Sequence, residues 1–181
     1  MLMVFTSEEI ALLNDRQIFL QKRSLLEKIG AVFARTEQLL KDTAIGSQFA
    51  FPANCHLASG KTSRGENLLG YPWMVHDYPR LINRDEIFLF RTQCWFGHGF
   101  SCSWILTGRH AGLLAGKPLK ANWTMATDEH IWDQSIQIIA DQFPETLCPA
   151  VRLTMPLGND PKGLEERTSI IFRETLDLLG A

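Results

Sequence analysis

The chain has 181 residues, 45% of them hydrophobic and 21% charged, with a formal net charge of −2. That size reads as a single domain over residues 1–181, and the composition excludes disordered and collagen-like chains. No apolar run approaches the roughly 18–20 residues of a membrane span, and no lysine and arginine cluster suits a nucleic acid, so neither partner is expected.

Taken in chain order, Ser7 with Glu8 and Glu9 predicts a helix start, a capping side chain followed by acids at the positive end of the helix dipole. This short helix turns near Asn14-Asp15. A longer one follows over residues 16–42, because Leu25, Ile29, Val32, Thr36 and Leu40 recur at helical spacing, with Leu26 and Phe33 widening the stripe. From Ile45 to Gly70 the pattern breaks, and Gly60 to Asn67 reads as surface loop. Tyr71 to Tyr78 predicts a short strand ended by Pro79, which has no ladder donor.

Glu86 to Phe96 and Phe100 to Thr107 predict a β-hairpin around Gly97-His98-Gly99. Pairing Phe96 with Phe100 sets cross-strand residue numbers summing to 196, so that Cys94 faces Cys102 and Phe90 faces Leu106. Alternation gathers Phe88, Phe90 and Trp104 on one apolar face, leaving Arg91, Gln93 and Trp95 on a half-wet one. Asn83 to Glu86 also resembles a capping box, which would open residues 87–91 as a helix instead. Beyond Gly108, Asp128 reads as the cap of a helix over 129–143, on the stripe Trp132, Ile136, Ile139 and Phe143. Residues 151–155 suit an added strand, and Asp160-Pro161 a last helix running to Leu179. The fold class is therefore α+β, an antiparallel sheet led by the 86–107 hairpin with helices from both ends of the chain over one face.

Chemistry is sparse. Residues 1–5 are too short for a secretory core, and the four cysteines (Cys55, Cys94, Cys102, Cys148) form no CxxC pair, which suits reduced thiols in the cytoplasm. Gly60-Lys61-Thr62 lacks the glycine a phosphate loop needs six residues before its lysine, where Cys55 stands. The five histidines show no HxxxH or HExxH spacing, so no metal and no cofactor are expected. His76 and Asp77 are adjacent, which on a strand sends them to opposite faces and prevents a dyad.

Charge is uneven: residues 1–54 sum to 0, residues 55–123 to +4 and residues 124–181 to −6. Residues 64–80 of the basic middle are the densest in polar and aromatic groups. They could supply an acid or base (Glu66, His76 or Asp77), an anion clamp (Arg64, Arg80) and a stacking ring (Trp73).

Arg64-Gly-Glu-Asn, Gly70-Tyr-Pro, Asp77-Tyr-Pro-Arg, Phe90-Arg-Thr, a tryptophan-rich strand and Phe100-Ser-Cys resemble a group of short bacterial proteins of unassigned function. The resemblance covers residues 60–108. It implies one compact intracellular domain and no particular activity.

Two function classes stay open. The first is a soluble, non-catalytic binding or interaction domain whose anion-tolerant aromatic site uses Arg64, Glu66, Trp73, His76, Arg80, Arg91 and Trp95. Its partner would be a small anionic ligand or a protein, including a further copy of the chain. The second is a small enzyme on an anionic substrate with Glu66, His76 or Asp77 in acid–base roles, for which no nucleophile–base–orienter set can be assembled from the sequence.

Overall fold

A computed structural model describes residues 4–119, 122–139, 142–143 and 149–180. Helix α1 (Ser7–Asn14) is capped one residue earlier than the sequence suggests. Thr6 and Glu9 form a reciprocal capping box, and Asp15 then caps α2 (Arg16–Gly46) through the amides of Gln17 and Ile18. Only the second half of α2 reaches the core, burying Ile29, Phe33, Thr36, Leu40 and Thr43. The stripe is as predicted from Ile29 onward, but Leu25 at its start is 46% exposed, and the helix runs four residues further than residue 42.

The strands are β1 (Lys61–Leu68), β2 (Tyr71–Ile82), β3 (Ile87–Trp95), β4 (Gly99–Thr107), β5 (Thr124–Thr127), β6 (Ile138–Ile139) and β7 (Ala150–Gly158). They form one antiparallel sheet in the order β1-β2-β3-β4-β7-β5-β6. Helix α3 (Arg109–Gly112) is a single turn after β4, and α4 (Leu164–Gly180) closes the chain. Among the described residues no helix is long and apolar enough to cross a membrane.

Several expectations are corrected. Residues 61–68 are an edge strand rather than a loop, because their amides pair with β2 from Lys61↔Asp77 to Leu68↔Tyr71. Pro79 does not end β2. A bulge between Asp77 and Arg80 takes it out of the ladder, and pairing resumes at Arg80↔Leu89. Asn83 makes a turn through the amides of Asp85 and Glu86, so β3 is a strand from Ile87 onward and the capping-box alternative fails.

In the hairpin, paired numbers sum to 194. Phe90 faces Trp104, Thr92 faces Cys102 and Cys94 faces Phe100. The error is two residues, so the division into faces survives it. The cause is Phe96, whose amide bonds the Pro72 carbonyl of β2 while Trp95 closes the ladder against Gly99.

The helix expected over 129–143 is absent from the described part of that range. Asp128 has φ +56 and opens only a 3₁₀ turn (Asp128–Trp132), which β6 follows. Arg152, 2% exposed, takes the carbonyls that a helix would have used. Its guanidinium donates to Ile131 O at 3.1 Å, Asp133 O at 2.9 Å and Ile136 O at 2.6 Å. This segment lies over Leu89 and Ile105, so the sheet face expected to be half-wet is largely covered. The last helix starts at Leu164, after a turn in which Pro161 O receives the Leu164 amide.

The opposite face holds the main core, with Phe90, Trp104 and Phe172 of α4 mutually in contact at centroid distances of 4.9 to 5.6 Å. Both long helices cover this face, joined by Thr43 Oγ1 and Ser169 Oγ at 3.0 Å.

Candidate functional site

The sheet divides the seven predicted site residues. Arg64, Glu66 and His76 lie on the α2 side, Arg64 opposite Met74 of the core and Glu66 bridged to Lys22 of α2. Trp73, Arg91 and Trp95 lie on the other side, where Trp73 pairs with Trp95. Arg80 shares the register of Leu89 on that side. Its backbone bridges His56, and its Nε has no partner among the described residues. The seven do not converge in one pocket.

Arg91 is spoken for. It grips Asp77 bidentately, Nε to Oδ1 at 2.7 Å and Nη2 to Oδ2 at 2.9 Å, with its guanidinium carbon 5.4 Å from the Trp132 ring centroid. Trp95 donates to Leu68 O at 3.2 Å and stacks on His98 at 3.8 Å. Trp73 lies flat against Gly65, where a Cβ would come within 2.6 Å of its indole nitrogen.

Two constellations emerge instead. The first is an apolar groove of about 420 Å³ between α2 and the tip of the β3–β4 hairpin. Leu25, Ile29 and Val32 form one wall and Cys94, Phe96 and Phe100 the other, with Lys28 at the rim. Lys28 makes no salt bridge among the described residues. The tip can approach the β7–α4 turn because Gly99, at φ +90, has no Cβ to strike Asn159 and the Gly158 carbonyl. Phe96 and Phe100 were legible in sequence as the ends of the hairpin strands. Lys28 was not, because nothing in its helical spacing marks it as the cation beside a groove.

The second is a hydroxyl–imidazole–carboxylate chain running from the exposed Thr62 through the buried His76 to the half-buried Glu37. Thr62 Oγ1 lies 2.9 Å from His76 Nδ1, and His76 Nε2 lies 3.1 Å from Glu37 Oε2, off the line of a good hydrogen bond. Glu37 also accepts the Gly60 amide at 3.1 Å and pairs with Lys41 at 2.6 Å. Gly60 has to be glycine here, since a Cβ would overlap the imidazole. Burial holds the His76 pKa below its ordinary value although Glu37 and Asp77 pull it upward. The Glu37 carboxyl sits below the usual range: burial opposes this, but Lys41, the Gly60 amide and His76 together outweigh it. As foreseen, Asp77 and His76 form no dyad.

The sign of the resulting pH effect follows. A histidine whose folded pKa is depressed binds fewer protons than the unfolded chain, so stability is lost as pH falls below about 6.5, the unfolded value, and levels off beneath the folded one. The urea midpoint should therefore decline from pH 8 to about pH 5. His76→Gln should flatten that slope, and an unchanged slope would assign the effect to other groups. Glu37 acts only in a lower window, beneath its ordinary 4.5.

Cys55, Cys94 and Cys102 are free, and burial pushes the first two thiols up to about 11 and Cys102 higher still. None of the three is an activated nucleophile. Cys148 lies outside the described residues. No group of three or more potential metal ligands occurs among the described residues. No family model matches the chain, and no curated protein or solved structure does either.

Proposed function

We propose that the chain is a soluble, non-catalytic cytoplasmic binding domain, and that its ligand is a small amphipathic anion seated in the groove between α2 and the hairpin tip. The observation that carries this reading is the pairing of an apolar, partly aromatic cavity of about 420 Å³ with one uncommitted ammonium, Lys28, at its edge. Such a cavity removes a ligand's hydrocarbon part from water, while the rim cation selects for a carboxylate or phosphate head. The expectation of an anion-tolerant aromatic site is thus carried into this reading with Phe96 and Phe100 as its rings in place of Trp95, and Lys28 in place of Arg91.

The test is a thermal-shift and tryptophan-fluorescence titration with decanoate and with decanol. At a hundred times its Kd, decanoate should add roughly 2.7 kcal/mol to the stability of the wild type. Lys28→Ala should weaken decanoate about tenfold and leave decanol unaffected, and Val32→Trp should block both. No stabilisation by either probe, or equal loss of both on Lys28→Ala, sinks the proposal.

One observation favours the enzyme reading: Thr62, His76 and Glu37 place a nucleophile, a base and an orienting carboxylate within hydrogen-bonding reach. In this form Glu37 takes the role considered for Glu66 or Asp77, since Glu66 is bound to Lys22 and Asp77 to Arg91. Hydrolysis of a small activated ester that disappears in both Thr62→Ala and His76→Gln, and survives in Thr62→Ser, would make this the better reading.

A further inference from the structure

The N-terminal arm is out of balance with the rest of the molecule. Every residue from Val4 to Gln21 is exposed, and α1 buries no side chain at all. A helix of eight residues is below the length at which helices hold together unaided in water, so its own capping box cannot account for it. Eight large apolar side chains between Val4 and Leu20 are 41 to 85% exposed, Phe5, Leu13, Phe19 and Leu20 among them. At on the order of 100 Å² each, they approach the roughly 800 Å² that one partner contributes to a stable interface.

Charge on the arm is sorted by sign. Residues 4–15 carry three acids (Glu8, Glu9, Asp15) and no base, while residues 16–27 carry three bases (Arg16, Lys22, Arg23) and one acid, Glu27. Arg23 already pairs with Glu27 along the helix, and Lys22 with Glu66. A surface with an acidic and a basic half is complementary to itself when turned through a two-fold axis, each half meeting the opposite half of the partner.

We infer that the arm is a self-association surface. A second copy of the chain lays its α1 against the first half of this chain's α2, and the same contact is repeated in return. The exposed leucines and phenylalanines form the apolar centre of this interface, and the sorted charges fix its direction. The inference is independent of any ligand in the groove.

Sedimentation equilibrium of the full chain tests it, and a dimer is expected for the wild type. Leu13→Asp combined with Phe19→Asp should give a single-chain mass with an unchanged near-ultraviolet signal from the buried Trp104, since neither residue touches the core. Glu8→Lys with Glu9→Lys should weaken the dimer at least tenfold, as should Arg16→Glu with Arg23→Glu. Mixing those two variants should give a heterodimer tighter than either homodimer. A wild type of single-chain mass overturns the inference, including one that stays single and binds anionic vesicles instead. So does a dimer that survives Leu13→Asp with Phe19→Asp, or a mixture with no preference for the heterodimer.

Discussion

Trp104→Ala is expected to lower stability in urea unfolding by about 3–5 kcal/mol, a large share of what a domain of this size possesses. Trp104 is 1% exposed at the centre of the helix-covered face, stacked on Phe172 at 5.6 Å and flanked by Phe88 and Phe90 at 5.0 and 5.1 Å. Its indole nitrogen donates to Thr175 Oγ1 at 2.7 Å, and that hydroxyl in turn donates to the Ile171 carbonyl of α4 at 2.8 Å. Truncation therefore opens a cavity walled by rigid rings that cannot collapse into it, and it strips Thr175 of its donor. Trp104→Phe separates these effects: it keeps most of the ring and should cost only about 1–2 kcal/mol. A loss under 1 kcal/mol in the alanine variant would mean that the helices do not rest on this face.

Arg152→Met should be nearly as damaging, at about 3–5 kcal/mol, although methionine retains the volume of the stem. The guanidinium is held by carbonyls alone, those of Ile131, Asp133 and Ile136, with Asp133 and Arg91 acting on its charge from further away. Removing it leaves the Ile131 and Ile136 carbonyls with no other donor among the described residues and the Asp133 carbonyl with only the Ile136 amide. Arg152→Lys keeps the charge but has no planar fork to span carbonyls arrayed over six residues, so it should recover less than half of the loss. If Arg152→Met unfolds at the wild-type urea concentration, residues 131–136 stand without it.

The faces of the hairpin were legible because side-chain alternation depends only on counting by two. The register was not, because it depends on where the ladder gives way to the turn. That point was decided by a third strand, through Phe96 and Pro72, which no local reading of Gly97-His98-Gly99 contains. The segment from Asp128 failed for a related reason. Its apolar spacing does fit a helix, but the spacing cannot register that Arg152, far along the chain, captures the carbonyls. A signal was present all the same: an arginine inside the apolar run Val151–Met155 has to find acceptors if that run is a buried strand.

The candidate site was legible one residue at a time. His76 and Trp95 stood out by type, and the reasoning that His76 and Asp77 diverge holds in the sheet. Nothing in the sequence marks Glu37 and Lys41, since helical periodicity does not say which flank of the apolar stripe meets β2. Arg64 and Arg91 shared a basic stretch of sequence but no side of the sheet, and net charge over a stretch of chain carries no information about sides.

The manner in which Arg152 holds its neighbours gives the sheet an order of opening. The helix-covered face is sealed by side chains from two long elements, so exposing it requires much of the molecule to come apart. Over Leu89 and Ile105 the hydrogen bonds of the lid among the described residues are short-range, such as Asp133 N to His130 O, Ile136 N to Asp133 O and Ser135 N to Asp133 Oδ1, besides those it shares with Arg152. Lifting it breaks the Arg152 bonds and the packing of Ile131 and Trp132, and leaves the β4–β7 ladder intact. Amide hydrogens of residues 133–136 should thus exchange by a shallow, local excursion, while those of β3 and β4 wait for the deepest one. Water visits the two sides of a single sheet on different timescales, and one guanidinium sets the difference.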